Sequence, residues 1–196
     1  MDQTLAYYAE NADDFAKDTL RVDFSATRER FLSRLEPGAA ILDLGCGAGR
    51  DAKAFLERGF RVTAVDGSPE LCALASAYLG IPVRRQLFQD LTDQNAYDGI
   101  WACASILHLT RDDLTDVFRR IITALKPEGI IYTSFKYGTF EGIRSGRRFI
   151  DFTEAKFSGF LKQFPELTLI DQWVTSDVRP GRADEHWLNA IMKYGI

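Results

Sequence analysis

Histidine, cysteine and methionine are all scarce in this chain, numbering two, three and two among 196 residues. The cysteines, Cys46, Cys72 and Cys103, are odd in number and far apart. That excludes a disulfide framework and the paired-cysteine spacing of a structural metal site. Buried or half-buried thiols in a reducing compartment, and no metal, are the expectation. Basic residues are not in excess either: 24 Lys and Arg stand against 28 Asp and Glu, for a net charge of −4 and a pI near 5.3. A general nucleic-acid binder carries the opposite balance. Long apolar runs are missing, and Met1-Asp2-Gln3-Thr4 has no basic segment leading into an apolar one. No signal peptide or membrane span is therefore expected, and a cytoplasmic location is. Internal repeats and low-complexity stretches are absent too.

What is present is the composition of an ordinary globular protein, 46% hydrophobic and 27% charged. The length suits one domain, enough to bury roughly 70% of the unfolded surface. Residues 1–36 read as helical, with Tyr7, Tyr8, Phe15, Phe31, Leu32 and Leu35 as apolar anchors, and Pro37-Gly38 punctuates the chain. From there strands and helices alternate. Ala39–Leu44, Arg61–Val65, Val83–Phe88, Ile100–Ala104 and Ile130–Phe135 read as strands. Leu167–Val174 and His186–Tyr194 read as the last two. Ser68 before Pro69, Thr110 before Asp113, and Thr153 are predicted helix N-caps. This alternation predicts an α/β fold with a parallel sheet covered on both faces. Ligands of such sheets sit outside the carboxyl ends of the strands. That rule selects 43–49, Asp66, Gln89-Asp90 and 102–108, and leaves Asp98, at an amino end, as structural.

The densest signal is Ile41-Leu42-Asp43-Leu44-Gly45-Cys46-Gly47-Ala48-Gly49-Arg50. An apolar strand breaks into three alternate glycines and opens a helix. Such backbone turns sharply and lets a ligand approach closely, and the helix start offers free N–H groups. Gly47-Ala48-Gly49-Arg50-Asp51-Ala52 also matches G-x-G-x-x-A formally, the dinucleotide fingerprint. Taken whole, Leu42-Asp43-Leu44-Gly45-Cys46-Gly47-Ala48-Gly49 resembles motif I of the class I S-adenosylmethionine-dependent methyltransferases. Val62-Thr63-Ala64-Val65-Asp66-Gly67-Ser68-Pro69 resembles the family's second strand and its acid. Tyr97-Asp98-Gly99-Ile100-Trp101-Ala102 resembles its fourth strand, and Leu125-Lys126-Pro127-Glu128-Gly129-Ile130 its L-K-P-G-G turn, with Glu128 in place of a glycine. The overall style is similar to small bacterial methyltransferases of small molecules.

The resemblance implies a Rossmann-like, doubly wound, mostly parallel sheet of seven strands with the last antiparallel, helices on both faces and an N-terminal helical lid. It implies one methyltransferase domain over 1–196: a helical segment 1–36, a cofactor-binding core 38–136, and a substrate loop with terminal hairpin 137–196. The cofactor implied is S-adenosylmethionine, released as S-adenosylhomocysteine. Its methionine end would lie along Gly45, Cys46, Gly47, Gly49 and Arg50, with Asp43 on the amino group. Asp66, with Gly67 and Ser68 behind it, would accept the two ribose hydroxyls. Gln89, Asp90 and Leu91 fall where the family meets adenine, with either Gln89 or Asp90 facing the base. Ala102 and Cys103 would line the cofactor from the fourth strand.

The acceptor side is read from less regular sequence. His108 follows the fourth strand, where imidazole can take a proton or orient an acceptor; packing against the next helix is its other reading. Tyr7 and Tyr8 lie on the lid segment. The stretch 136–149 is long for a plain connection and rich in Gly, Arg and aromatics. Its Lys136, Arg144, Arg147 and Arg148 suit an anionic acceptor. Arg179 and Arg182, between the last two strands, join that pocket if the hairpin bends over it. A small-molecule acceptor is expected, with no membrane and no nucleic-acid partner, and no feature specifies an oligomeric state. RNA or protein modification through 136–149, a non-catalytic regulator that binds the cofactor, and a dehydrogenase are the competing classes.

Overall fold

The computed structural model describes residues 3–195. Three helices lead, α1 (Gln3–Glu10), α2 (Ala12–Leu20) and α3 (Ser25–Leu32). Then follow β1 (Ala40–Leu44), α4 (Arg50–Glu57), β2 (Arg61–Asp66), α5 (Pro69–Leu79), β3 (Arg84–Arg85), β4 (Tyr97–Ala102), α6 (Arg111–Ala124) and β5 (Leu125–Lys136). A small hairpin of β6 (Glu141–Arg144) and β7 (Arg147–Ile150) precedes α7 (Glu154–Leu161), β8 (Leu167–Ser176) and β9 (His186–Tyr194). Seven strands form one sheet in the order β3-β2-β1-β4-β5-β9-β8, and β6-β7 stand apart. The first five are parallel, and β9 runs antiparallel to both neighbours. The doubly wound, mostly parallel sheet expected from the sequence is what the chain forms.

Strand alternation explains the layering. In β1, Ile41 packs with Phe31, Phe55 and Trp101 on one face, while Leu42 and Leu44 join the cluster of α6 and α7 on the other. Both sets are fully buried, as strands sandwiched between helices must be. The caps form where the side chains predict them. Ser68 Oγ accepts from Leu71 N–H at 3.2 Å, Thr110 from Asp113 N–H at 3.1 Å and Thr153 from Lys156 N–H at 3.4 Å. Asp98 accepts from Ala40 N–H at 2.7 Å and pairs with Lys126 at 2.9 Å, so it ties the amino ends of β1, β4 and β5 together.

Three segments differ from the sequence reading. The third strand was expected over Val83–Phe88 but pairs only at Arg84–Arg85, then turns through a 3₁₀ turn at Phe88–Asp90. It is an edge strand with a partner on one side, and Phe88 turns inward toward Gly45. Strand β5 begins at Leu125, because a register shift between Tyr97 and Gly99 absorbs the Lys126–Gly129 stretch that reads as a turn. The stretch 136–149 is no loop: Ser145 and Gly146, at φ +50° and +75°, form the two-residue turn of the β6–β7 hairpin. Among the described residues no helix is long and apolar enough to cross a membrane.

Candidate active site

A cavity of about 800 Å³ opens at the carboxyl ends of β1, β2 and β4. Strand order reverses between β1 and β4, which leaves a crevice there in any sheet wound this way. The glycine loop forms its floor. Gly45 (φ +82°) and Gly47 (φ +56°) have backbone conformations that side chains disfavour. A Cβ on Gly45 would lie 2.5 Å from Ser105 Cβ, and one on Gly47 2.9 Å from the Phe15 ring. The bare backbone is thus a steric requirement as well as a conformational one.

Two carboxylates flank this floor. Asp66 accepts from Gly47 N–H and Ser68 N–H, each at 2.9 Å, which bridges the loops after β1 and β2. Burial nonetheless holds its carboxyl above the usual range against those hydrogen bonds. Asp43 is buried, and its Oδ2 has no hydrogen-bond partner. Burial, reinforced by the neighbouring Asp51 carboxylate, pushes Asp43 well above the ordinary carboxylate range. An orphaned acceptor of this kind in a cavity wall fits a ligand that brings a cationic or N–H donor.

Asp51 is the site residue the sequence reading missed. It is the second residue of α4 and accepts from Arg28 at 2.8 Å, from Arg50 at 2.8 and 2.9 Å and from Trp101 Nε1 at 3.0 Å. Burial alone would raise this carboxyl; Arg50 and Arg28 outweigh it and lower it. Arg50 in turn lies over the Phe24 ring at 4.6 Å. The two cavity cysteines stay protonated near neutrality, because burial pushes Cys103 up to about 12 and Cys46 well above its ordinary value. Neither is a thiolate nucleophile.

At the cavity's other end, His108 ends a 3₁₀ turn at Ile106–His108. Its Nδ1 lies 2.6 Å from the Arg148 carbonyl and its Nε2 2.9 Å from the Tyr8 hydroxyl. A carbonyl only accepts, so Nδ1 carries a proton, and in a neutral ring it carries the only one. Nε2 is then the acceptor of the Tyr8 O–H. Tyr8 remains a phenol, because burial raises its pKa against Arg147. The turn leading to His108 contains Ala104 at φ +50°, an uncommon conformation for a residue with a Cβ. Ala104 N–H donates to Ser134 Oγ at 2.9 Å and Ser105 Oγ to Leu44 O at 2.7 Å, which fix that turn to β5 and β1.

The N-terminal helices cover this arrangement. Phe15 of α2 lies against Gly47, and Leu5 of α1 sits where a Gly67 Cβ would come within 2.8 Å. Arg148 N–H donates to Thr4 Oγ1 at 3.2 Å, joining α1 to β7.

The residues singled out from sequence divide accordingly. Asp43, Gly45, Cys46, Gly47, Arg50, Asp66, Gly67, Gln89, Cys103, His108, Tyr8, Lys136 and Arg147 line the cavity. Gly49 begins α4 at φ +93°, and Ser68 caps α5. Leu91 and Ala102 are buried in the core. Asp90, Tyr7 and Arg148 fall outside the lining, although the Tyr7 ring supports Arg147 and the Arg148 carbonyl orients His108. Of Gln89 and Asp90, it is Gln89 that faces the cavity.

Residues 41–129 match a family model described as a methyltransferase domain. The ubiquinone biosynthesis O-methyltransferase of Xanthomonas campestris pv. campestris (strain B100) is 31% identical over 126 residues, 61% of this chain and 50% of that protein. The N-terminal Xaa-Pro-Lys N-methyltransferase 1 of Danio rerio is 40% identical over 98 residues, 46% of this chain and 44% of that protein. The chain therefore spans about half the length of these curated relatives. The crystal structure of Burkholderia thailandensis 1,6-didemethyltoxoflavin-N1-methyltransferase, with 1,6-didemethyltoxoflavin and S-adenosylhomocysteine bound, shares the fold. Its TM-score is 0.78 at 24% identity, over 98% of this chain and 85% of that one.

Proposed function

We propose that the protein transfers a methyl group from S-adenosylmethionine, through the methyltransferase domain matched over residues 41–129, to a small-molecule acceptor held beside His108. The observation that carries this reading is the pairing of a side-chain-free floor at Gly45 and Gly47 with two carboxylates, the half-buried Asp66 and the buried Asp43 with its orphaned oxygen. Asp43 Oδ2 would receive the amino group of the cofactor's methionine end. Asp66 would turn from its backbone donors toward the ribose hydroxyls, and Gln89 would meet the base. A pyrophosphate along the glycine loop would meet the Asp43 carboxyl, whereas Asp66 would serve the ribose of either cofactor.

When bound, S-adenosylmethionine supplies a methyl group already activated on a sulfonium sulfur. The chain's part is to position, to exclude water and to manage one proton. The N-terminal helices supply the exclusion, with Phe15 and Leu5 packed over the two loops. His108 manages the proton. With Nδ1–H committed to the Arg148 carbonyl, its Nε2 lone pair is aimed at the position Tyr8 now occupies. An acceptor O–H or N–H that displaces the Tyr8 hydroxyl meets the same lone pair and gives up its proton there.

Binding of S-adenosylhomocysteine, measured by calorimetry, tests the reading without knowledge of the acceptor. Asp66→Ala should weaken it by one to two orders of magnitude, from roughly 1.5–3 kcal/mol of lost charge-assisted hydrogen bonding. An unchanged affinity in that variant would remove Asp66 from the cofactor site.

A further inference from the structure

Six cationic side chains line the cavity: Arg50, Lys136, Arg144, Arg147, Arg179 and Arg182. Five of them meet carboxylates. Arg50 pairs with Asp51 at 2.8 Å, Lys136 with Asp177 at 3.2 Å and with Glu185, and Arg144 with Asp151 at 3.2 Å. Arg179 pairs with Asp177, and Arg182 with Glu185 at 3.6 Å. Arg147 forms no ion pair with any described residue. Its Nε is buried without a hydrogen-bond partner. Its guanidinium is instead held by aromatic rings, 4.4 Å from the Tyr7 centroid, 5.2 Å from Phe149 and 5.7 Å from Tyr8. Of the six cations that line the cavity, Arg147 is thus the one with no carboxylate partner among the described residues.

That residue is next to the base. Arg147 donates to the Tyr8 hydroxyl at 3.4 Å, and Tyr8 reaches His108 Nε2 at 2.9 Å. The Tyr8 hydroxyl bridges the two, and the rings of Tyr8 and Phe149 meet the His108 ring edge-on at centroid distances of 5.6 and 4.9 Å. We propose, building on the methyl-transfer reading above, that Arg147 selects the acceptor, and that the acceptor is a flat, conjugated molecule carrying an anionic oxygen beside the atom that His108 deprotonates. A guanidinium offers forked N–H donors in one plane, the match for a carboxylate or enolate oxygen pair. A neutral acceptor would leave this half-buried cation as it is now, with its Nε unpartnered and no counter-charge beside it. A flat ring fits between walls of Tyr and Phe, which favour stacked or edge-on aromatic partners. Lys136, Arg144, Arg179 and Arg182 hold the cavity wall together through their carboxylates and do not read the acceptor.

The test titrates the protein saturated with S-adenosylhomocysteine with 3-hydroxy-2-naphthoate, its neutral amide 3-hydroxy-2-naphthamide, and the non-planar cyclohexanecarboxylate. The naphthoate should bind at least about tenfold tighter than either comparator, the gain expected of a charge-assisted pair in a closed site. In Arg147→Gln that preference for the carboxylate should fall to within about twofold, and Arg147→Lys, which keeps the charge but loses the fork, should retain part of it. Equal affinity of naphthoate and naphthamide for the unmodified protein, or binding by neither, overturns the proposal without any variant having to fold. A preference that survives in Arg147→Gln overturns it as well. The S-adenosylhomocysteine titration that precedes these separates the two readings. Its success with no carboxylate preference removes the Arg147 assignment alone, and its failure removes both.

Discussion

Asp43 and Asp51 lie one turn of chain apart on either side of the glycine loop, yet their environments act on them in opposite directions. Burial with an orphaned oxygen raises Asp43, whereas Arg28, Arg50 and Trp101 hold Asp51 low. A carboxyl raised in the folded state contributes no penalty below the unfolded pKa and an increasing one as pH rises through the folded value. Asp43→Asn should therefore stabilise the ligand-free protein at pH 8 and leave it unchanged near pH 3, as followed by thermal melts across pH. The same variant should lose affinity for S-adenosylhomocysteine, so the site's cost and its use would be visible in one residue. Asp51 has the opposite sign. Its contribution is complete above the unfolded carboxylate pKa and is lost as pH falls through its lowered folded value. Asp51→Ala strands two largely buried arginines, and urea denaturation at pH 7.5 should show a loss of about 3–5 kcal/mol, shrinking at acid pH. A variant as stable as the parent at pH 7.5 would contradict this account of the network.

Turns carry their own predictions. Gly45→Ala would put a methyl 2.5 Å from Ser105 Cβ at a φ of +82°. Ser105 cannot give way, since its Oγ is bonded to the Leu44 carbonyl, and a loss of about 2 kcal/mol or more is expected in urea denaturation. Glu128 shows the same physics from the other side. It stands where the family's L-K-P-G-G pattern has glycine, and it adopts φ +68°. Its carboxylate pairs with Lys193 at the surface, an interaction worth little. Glu128→Gly should raise stability by about 0.5–1 kcal/mol. The elements themselves were largely legible. Helix caps at Ser68, Thr110 and Thr153 follow from local side-chain chemistry, and the strand alternation of 41–44 from burial on two faces. Less legible was whatever depended on distant partners. Lys136 and Arg144 read as cations of a basic loop because Asp151, Asp177 and Glu185, which neutralise them, come later in the chain. Asp51 was hidden for the same reason, its partners Arg28 and Trp101 lying on separate elements. The hairpin itself had a signal, the Ser145-Gly146 pair, which the apparent looseness of the stretch obscured.

Taken whole, the described chain is a mostly parallel sheet whose reversal point is covered by the three leading helices. Tyr8–His108, Thr4–Arg148 and Phe15–Gly47 contacts join that cover to the sheet and hairpin. A ligand that binds only this closed, folded state stabilises it by mass action, about 2.7 kcal/mol at a hundredfold excess over its Kd. In the proposed arrangement the buried Asp43 would meet the cofactor's amino group, which disfavours a pyrophosphate at the same place. The most direct test is therefore a calorimetric titration of the protein with S-adenosylhomocysteine and, in parallel, with NAD. The account predicts saturable one-to-one binding of S-adenosylhomocysteine and none of NAD. Binding of NAD, or no binding of S-adenosylhomocysteine, would contradict it.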